Sequence, residues 1–189
     1  MRLRLATHNA GKVREIKKIL PQFEILPEDS AAEETAATFV GNALLKAEAL
    51  AAKYKGDWIL ADDSGLQVVA LNGEPGVRSA RYAGKDGDTP ANNKLLLENM
   101  SKVEDRRASF VCAMALIEPT GAIHTVEGRC HGVILSQPAG NGGFGYDPLF
   151  VPDGHERTFA ELSEDEKNAI SHRARALAQV VKIIEGQMR

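Results

Sequence analysis

The residue groups best suited to chemistry fall in five stretches. Asp62-Asp63-Ser64-Gly65 follows directly on the apolar run Ile59-Leu60-Ala61. Such a run reads as a buried strand, and open α/β sheets place their ligands just beyond the carboxyl ends of strands. Two adjacent carboxylates there could hold a hard divalent cation through oxygen or take a proton from water. The same residue types form turns, so a plain polar turn is the competing reading. Thr7-His8-Asn9-Ala10-Gly11-Lys12 follows the first apolar stretch, Leu3–Ala6. A strand, a small polar loop and a helix start turn backbone N–H groups toward an anion. Thr7 and Asn9 add donors, Gly11 permits close approach, and Lys12 brings a positive charge. The spacing is not that of a P-loop, and an Asn-capped helix with a solvated lysine is the alternative.

Glu34, Thr38, Asn42 and Lys46 step by four and form one polar stripe, which could line a cleft or be a solvated helix edge. Residues Ala139 to Pro148, AGNGGFGYDP, carry glycines at 140, 142, 143 and 145. Backbone of that kind can approach a ligand closely, with Phe144 or Tyr146 stacking on a flat ring; a bulge or wide turn is the other reading. Near the C-terminus stand Lys167, His172 and Arg173.

These groups need elements to position them. The pattern predicts strands at Leu3–Ala6, Phe23–Leu26 and Asp57–Ala61, with Asp62–Gly65 a tight crossing into another strand, Leu66–Leu71. Helical spacing of Val13, Ile16, Ile19 and Leu20 predicts a first helix, stopped by Pro21. A long second helix runs from about Thr35 to Tyr54, burying Phe39, Val40, Ala43, Ala47, Leu50, Ala51 and Tyr54. Asn72-Gly73 marks a turn, Pro75–Tyr82 a loop with a short helical turn, and Asp88-Thr89 the cap of a helix through Met100. Arg107–Ile117 and Ala122–Leu135 form the longest hairpin, around which a second lobe is built. Leu149–Val151 is a last strand. Ser163-Glu164-Asp165-Glu166 is a capping box opening a helix to about Gly186, with Ile170, Ala174, Leu177, Val181 and Ile184 inward. On one straight helix Lys167, His172 and Arg173 point roughly 100° or more apart. For them to share a ligand, the helix must break between Asn168 and Ser171, with Ser171 capping a second segment. The fold class is α/β: a mixed sheet flanked by helices, residues 1–189 forming one domain of two lobes.

At 189 residues, 43% hydrophobic and 26% charged, the chain is an ordinary globular protein with a sizeable core. A net charge of −3 argues against a nucleic-acid-coating role. Cys112 and Cys130 lack zinc spacing and read as reduced residues of a cytoplasmic protein. No apolar run approaches the roughly 20 residues a membrane helix needs.

Taken in order, the motifs Ala6-Thr7-His8-Asn9-Ala10-Gly11-Lys12, Glu34-Thr35, Asn42-Ala43, Lys46-Ala47, Ala61-Asp62-Asp63-Ser64-Gly65-Leu66, Gly143-Phe144-Gly145-Tyr146-Asp147-Pro148 and Ser171-His172-Arg173-Ala174 resemble one family. It is the inosine triphosphate pyrophosphatases, the Ham1/RdgB-like enzymes that remove noncanonical purine nucleotides. Each motif alone is weak, but the ordered set is specific and spans the chain from first strand to last helix. The resemblance implies an elongated two-lobed α/β fold, a homodimer and Mg²⁺-dependent cleavage of ITP, dITP and XTP to monophosphate and pyrophosphate. It implies that Thr7, His8, Asn9, Ala10, Gly11 and Lys12 hold the triphosphate, and that Glu34 and Asp63 coordinate the metal. Asp63 is the implied proton acceptor for the attacking water. Ser64, Phe144, Gly145, Tyr146, Asp147, Lys167, His172 and Arg173 are the implied nucleotide contacts.

The physical chemistry is consistent with that. Phosphoryl transfer asks for positioning and neutralised charge, and Mg²⁺ with Lys12, Lys46 and Lys167 would complement a polyanion. Donors such as Arg173, His172 and backbone N–H groups would favour oxo bases over adenine, whose amine would leave them unpaired. Helical phase favours Glu34 over Glu33, because Glu34 shares the stripe with Asn42 and Lys46. Neighbours in an extended strand face opposite ways, so Asp63 faces the metal and water while Asp62 supports from behind. A non-catalytic nucleotide-binding or sensing protein on the same fold is the alternative.

Overall fold

The computed structural model describes residues 1–187. Strand β1 (Arg2–Ala6) leads into helix α1 (Ala10–Ile19), followed by strand β2 (Glu24–Glu28) and helix α2 (Phe39–Lys53). Strand β3 (Trp58–Val68), helix α3 (Thr89–Asn99) and the paired strands β4 (Arg107–Ile117) and β5 (Ile123–Ile134) come next. Strand β6 (Phe150–Pro152) and helices α4 (Glu164–Ile170) and α5 (His172–Gln187) complete the order. The strands form a six-stranded sheet in the order β2-β1-β3-β4-β5-β6. β1 pairs in parallel with both β2 and β3, and β5 pairs antiparallel with β6, so the sheet is mixed as expected.

The chain divides into two compact units. The first comprises Met1–Asp63, Cys112–Gly128 and the residues from His172 onward; the second comprises Ser64–Val111 and Arg129–Ser171. The long hairpin is therefore shared, its distal part lying in the first unit.

The first unit has two apolar layers, and strand alternation assigns residues to them. Leu3, Leu5, Leu60, Cys112, Met114 and Leu116 pack with Ile16 of α1 and with Ala176, Leu177, Val180 and Ile184 of α5. Ala6, Ile59, Ala61, Ala115 and Ile117 pack instead with Ala43, Ala47 and Leu50 of α2. Small residues on the α2 side bring helix and sheet close. At β5, Gly128 has no room for a side chain, because a Cβ would collide with the His172 carbonyl and the Ala176 amide at the start of α5. The second unit has its own core of Leu66, Val68, Tyr82, Leu96, Met100 and the packed rings of Phe110, Phe150 and Phe159.

Three sequence expectations need correction. Asp62–Gly65 is not a crossing between two strands: β3 runs unbroken from Trp58 to Val68, and the turn comes at Asn72-Gly73, both with positive φ (53° and 88°). Backbone pairing overrides the turn preference of Asp, Ser and Gly. The second helix starts at Phe39 with Thr38 as its cap, not at Thr35, because the Thr38 hydroxyl accepts from the Gly41 amide. The inward face of α5 is Arg173, Ala176, Leu177, Val180 and Ile184 rather than the Ile170–Ala174–Val181 set. The cause is the expected helix break: Ser171 is extended (φ −66°, ψ 157°) after α4 and before α5, and that break resets the helical phase. The capping box of Ser163 and Glu166 forms as expected.

Candidate active site

In the first unit the site is built on the split of two neighbouring carboxylates. The β1–β3 register pairs Ala6 with Ala61, so the Thr7–Lys12 loop leaves β1 beside Asp62. Alternation then puts Asp62 on the α1/α5 side and Asp63 on the α2 side.

Asp62 is fully buried. Its Oδ2 accepts from Arg173 Nε at 3.0 Å and from Cys112 Sγ at 2.9 Å, and its other oxygen pairs with the Lys12 ammonium. Burial pushes the Asp62 carboxyl up, but Arg173 and Lys12 together outweigh it and hold the group well below the usual carboxylate range. Asp62 is thus a fixed anion. Its backbone carbonyl also gathers two lysines, with Lys46 Nζ at 2.7 Å and Lys12 Nζ at 3.4 Å.

Asp63 differs in each respect. Asn42 Nδ2 donates to its Oδ2 at 3.0 Å, and the Lys46 ammonium lies 3.9 Å from its Oδ1. Burial raises the Asp63 carboxyl; Lys12 and Lys46 oppose this and Glu34 adds to it, leaving a net rise. A carboxylate raised in this way is a better proton acceptor than a surface one. Lys46 also donates to Glu34 Oε1 at 2.8 Å. Glu34 lies in the irregular segment before α2, so helical phase does not place it; its pairing with Lys46 does. Asn42 anchors that segment by accepting from the Ala36 amide at 2.9 Å.

Asn9 caps α1, its Oδ1 accepting from the Lys12 amide at 3.1 Å, and the Thr7 hydroxyl accepts from the Asn9 amide at 3.2 Å. His8, Asn9 and Ala10 are exposed at the helix start, and Thr7 and Gly11 are half-buried.

The second unit carries a separate cluster. Asp147, 2% exposed, accepts from the Phe144 amide at 2.8 Å and from Lys167 Nζ at 2.6 Å. The Lys167 ammonium lies 4.8 Å from the centre of the half-buried Phe144 ring. Gly143 (φ 68°) is obligatory, because a Cβ there would collide with the Asp147 carboxylate. Asn93 holds the Gly145 carbonyl at 3.2 Å, and the Tyr146 hydroxyl donates to the Ser79 carbonyl at 2.8 Å. Ser79 in turn accepts from the Leu66 amide at 2.9 Å, just beyond Ser64 and Gly65. The glycine loop is therefore braced rather than loose.

His172 and Arg173 open α5 in the first unit and are both buried. Arg173 is 1% exposed, with its guanidinium on Asp62 and Glu15. Glu15 and Cys112 carried no sequence signal for a site: one reads as a surface glutamate on an amphipathic helix, the other as a core residue. Asn42 stood out as part of the polar stripe and of the ordered motif set.

A buried carboxylate raised above its ordinary range, a second carboxylate sharing Lys46 with it and two lysines gathered at one strand carbonyl define the candidate site of this α/β protein. The Ham1 family model matches residues 3–183, and the chain belongs to that family. It is 48% identical over 193 residues to a dITP/XTP pyrophosphatase of Desulforamulus reducens, covering 97% of this chain and 96% of the relative. It is 50% identical over 181 residues to a dITP/XTP pyrophosphatase of Thermosynechococcus vestitus, covering 93% and 91% respectively. The structure resembles that of the Staphylococcus aureus Ham1 protein with a TM-score of 0.88 at 39% identity, over 99% of this chain and 100% of the other.

Proposed function

We propose that this chain is a nucleoside triphosphate pyrophosphatase that hydrolyses noncanonical purine nucleoside triphosphates (ITP, dITP and XTP) to monophosphate and pyrophosphate. The relatives named dITP/XTP pyrophosphatase support it, at 46–50% identity over nearly the whole chain. The observation that carries it is Asp63: buried, raised, oriented by Asn42 and flanked by Lys46 and Glu34.

In this reading Asp63 takes a proton from a water molecule whose oxygen bonds to the α-phosphorus. The bond from that phosphorus to the bridging oxygen breaks, and pyrophosphate leaves with the electron pair. Asn42 holds the Asp63 carboxylate in one orientation. Lys12 and Lys46, drawn together at the Asp62 carbonyl, neutralise the phosphates, and the Thr7–Lys12 loop supplies backbone donors.

Mg²⁺ belongs to the proposal. It is commonly held by one or two carboxylates with the rest of its shell from water and substrate phosphates. Glu34 and Asp63, which both face the Lys46 ammonium, fit that demand, and among the described residues no group of three or more metal-binding side chains occurs. When bound, the ion neutralises charge on the phosphates. The proposal also includes a homodimer, which sedimentation equilibrium would test. Among the described residues no helix is long and apolar enough to cross a membrane.

The deciding experiment is a panel of nucleoside triphosphates with pyrophosphate and monophosphate both quantified, with and without Mg²⁺. Equimolar release from ITP and XTP, with ATP and GTP poor, is the expected result. Binding of ITP without product would favour a sensing role instead.

A further inference from the structure

We propose that Glu15 is a positioning residue that holds Lys12 in place through Arg173 and Asp62. This deepens the reading of the Lys12 loop as a polyphosphate site and rests on it.

Glu15 lies on α1 three residues after Lys12, so the two share a face of the helix. An amphipathic helix would ordinarily expose such a glutamate, yet Glu15 is 7% exposed. A buried carboxylate is retained where it is paired. Its partner is Arg173 Nη1, while Arg173 Nε reaches Asp62 Oδ2 at 3.0 Å. The planar guanidinium thus spans a carboxylate of α1 and one of β3. Asp62 passes the link on to Lys12, back on α1. The result is a run of alternating charge, Lys12–Asp62–Arg173–Glu15, that begins and ends on α1.

The balance matters because two cations lean on one carboxylate. Glu15 offsets that excess from the far side of Arg173. Without its charge, the repulsion between Arg173 and Lys12 across Asp62 is less well offset, and at low dielectric that repulsion is strong. Arg173 is the better fixed of the two: its side chain is 1% exposed against 12% for Lys12. Lys12 is therefore the group that moves, and it is the one assigned to the phosphates. Glu15 touches no reacting atom in this scheme; its influence travels through the ion pairs.

The test is a double-mutant cycle of Glu15→Gln with Lys12→Ala, read by calorimetric binding of inorganic tripolyphosphate and by ITP kinetics. Glu15→Gln is expected to weaken tripolyphosphate binding and raise KM for ITP by about 10-fold, with kcat within about 3-fold. In the Lys12→Ala background the same change should shift binding by less than about 2-fold, since the group it positions is gone. Glu15→Asp, which keeps the charge, should fall between wild type and Glu15→Gln, and can replace it in the cycle should Glu15→Gln not fold. Unchanged tripolyphosphate affinity, or effects that simply add, would overturn the assignment. Wild-type protein that binds tripolyphosphate with the coupling intact but releases no pyrophosphate from any nucleotide would sink the enzymatic reading and leave the positioning role standing.

Discussion

Asp62 and Asp63 are consecutive on β3 yet serve opposite faces of the sheet. Asp62 bonds Arg173 and Cys112 and pairs with Lys12, whereas Asp63 bonds Asn42 and faces Lys46. A strand's alternation gives one dipeptide two environments, one holding a fixed anion and the other a carboxylate raised by burial.

Their asparagine variants should therefore differ in kind. Asp63→Asn should lower kcat for ITP by at least about 100-fold, the usual weight of a general base. Its folding should be kept or improved: Asp63 is raised in the folded state, so its ionised form costs stability at neutral pH and the amide relieves that cost. Asp62→Asn removes the shared partner of two buried cations and should cost about 3–5 kcal/mol of stability. Urea unfolding alongside turnover separates the two, and an inactive but fully stable Asp62→Asn would contradict its placement.

Asn42→Ala should act on turnover more than on binding. It removes the donor that fixes Asp63 and frees the Ala36 amide, each loss worth about 1–3 kcal/mol where the group left behind is buried. We expect kcat to fall by about 10-fold or more at nearly constant KM. A pure KM effect would place Asn42 on the substrate rather than on Asp63.

Gly143→Ala should disable the second unit's cluster while leaving the first intact. A Cβ at φ 68° is strained and would displace the Asp147 carboxylate that holds both the Phe144 amide and Lys167. The urea midpoint should fall, because the Phe144 amide and Lys167 lose a buried partner, while affinity for inorganic tripolyphosphate persists. An unchanged urea midpoint would refute the clash at Asp147.

Glu166 gives a pH signature far from the chemistry. Bonds from the Ser163 amide, then from Arg157, lower its carboxyl from 4.5 to about 2. A depressed carboxyl contributes stability that is present above its unfolded value and lost as pH falls through its folded value. The urea midpoint of Glu166→Gln should therefore lie below that of wild type at pH 7, with the gap closing between pH 4.5 and about 2. A gap independent of pH would mean the capping box works without its charge.

The sequence by itself determined most of the elements and which charged residues stand at their ends. Apolar periodicity specified the strands Arg107–Ile117 and Phe150–Pro152 to within a residue or two, Ser163 and Glu166 announced their own capping box, and the helix break before His172 followed from angular geometry. Strand alternation was enough to separate Asp62 from Asp63. Tertiary structure decided what no local pattern encodes. Whether Asp62–Gly65 turned or ran on depended on neighbouring strands supplying backbone partners. Glu34 was fixed by a lysine 12 residues away rather than by helical phase. The partners of Asp62 lie 50 residues off in one direction and 111 in the other, at Lys12 and Arg173. A buried charge takes its meaning from what faces it, and Arg173 meets Glu15 and Asp62 only once α5 is laid against α1 and β3.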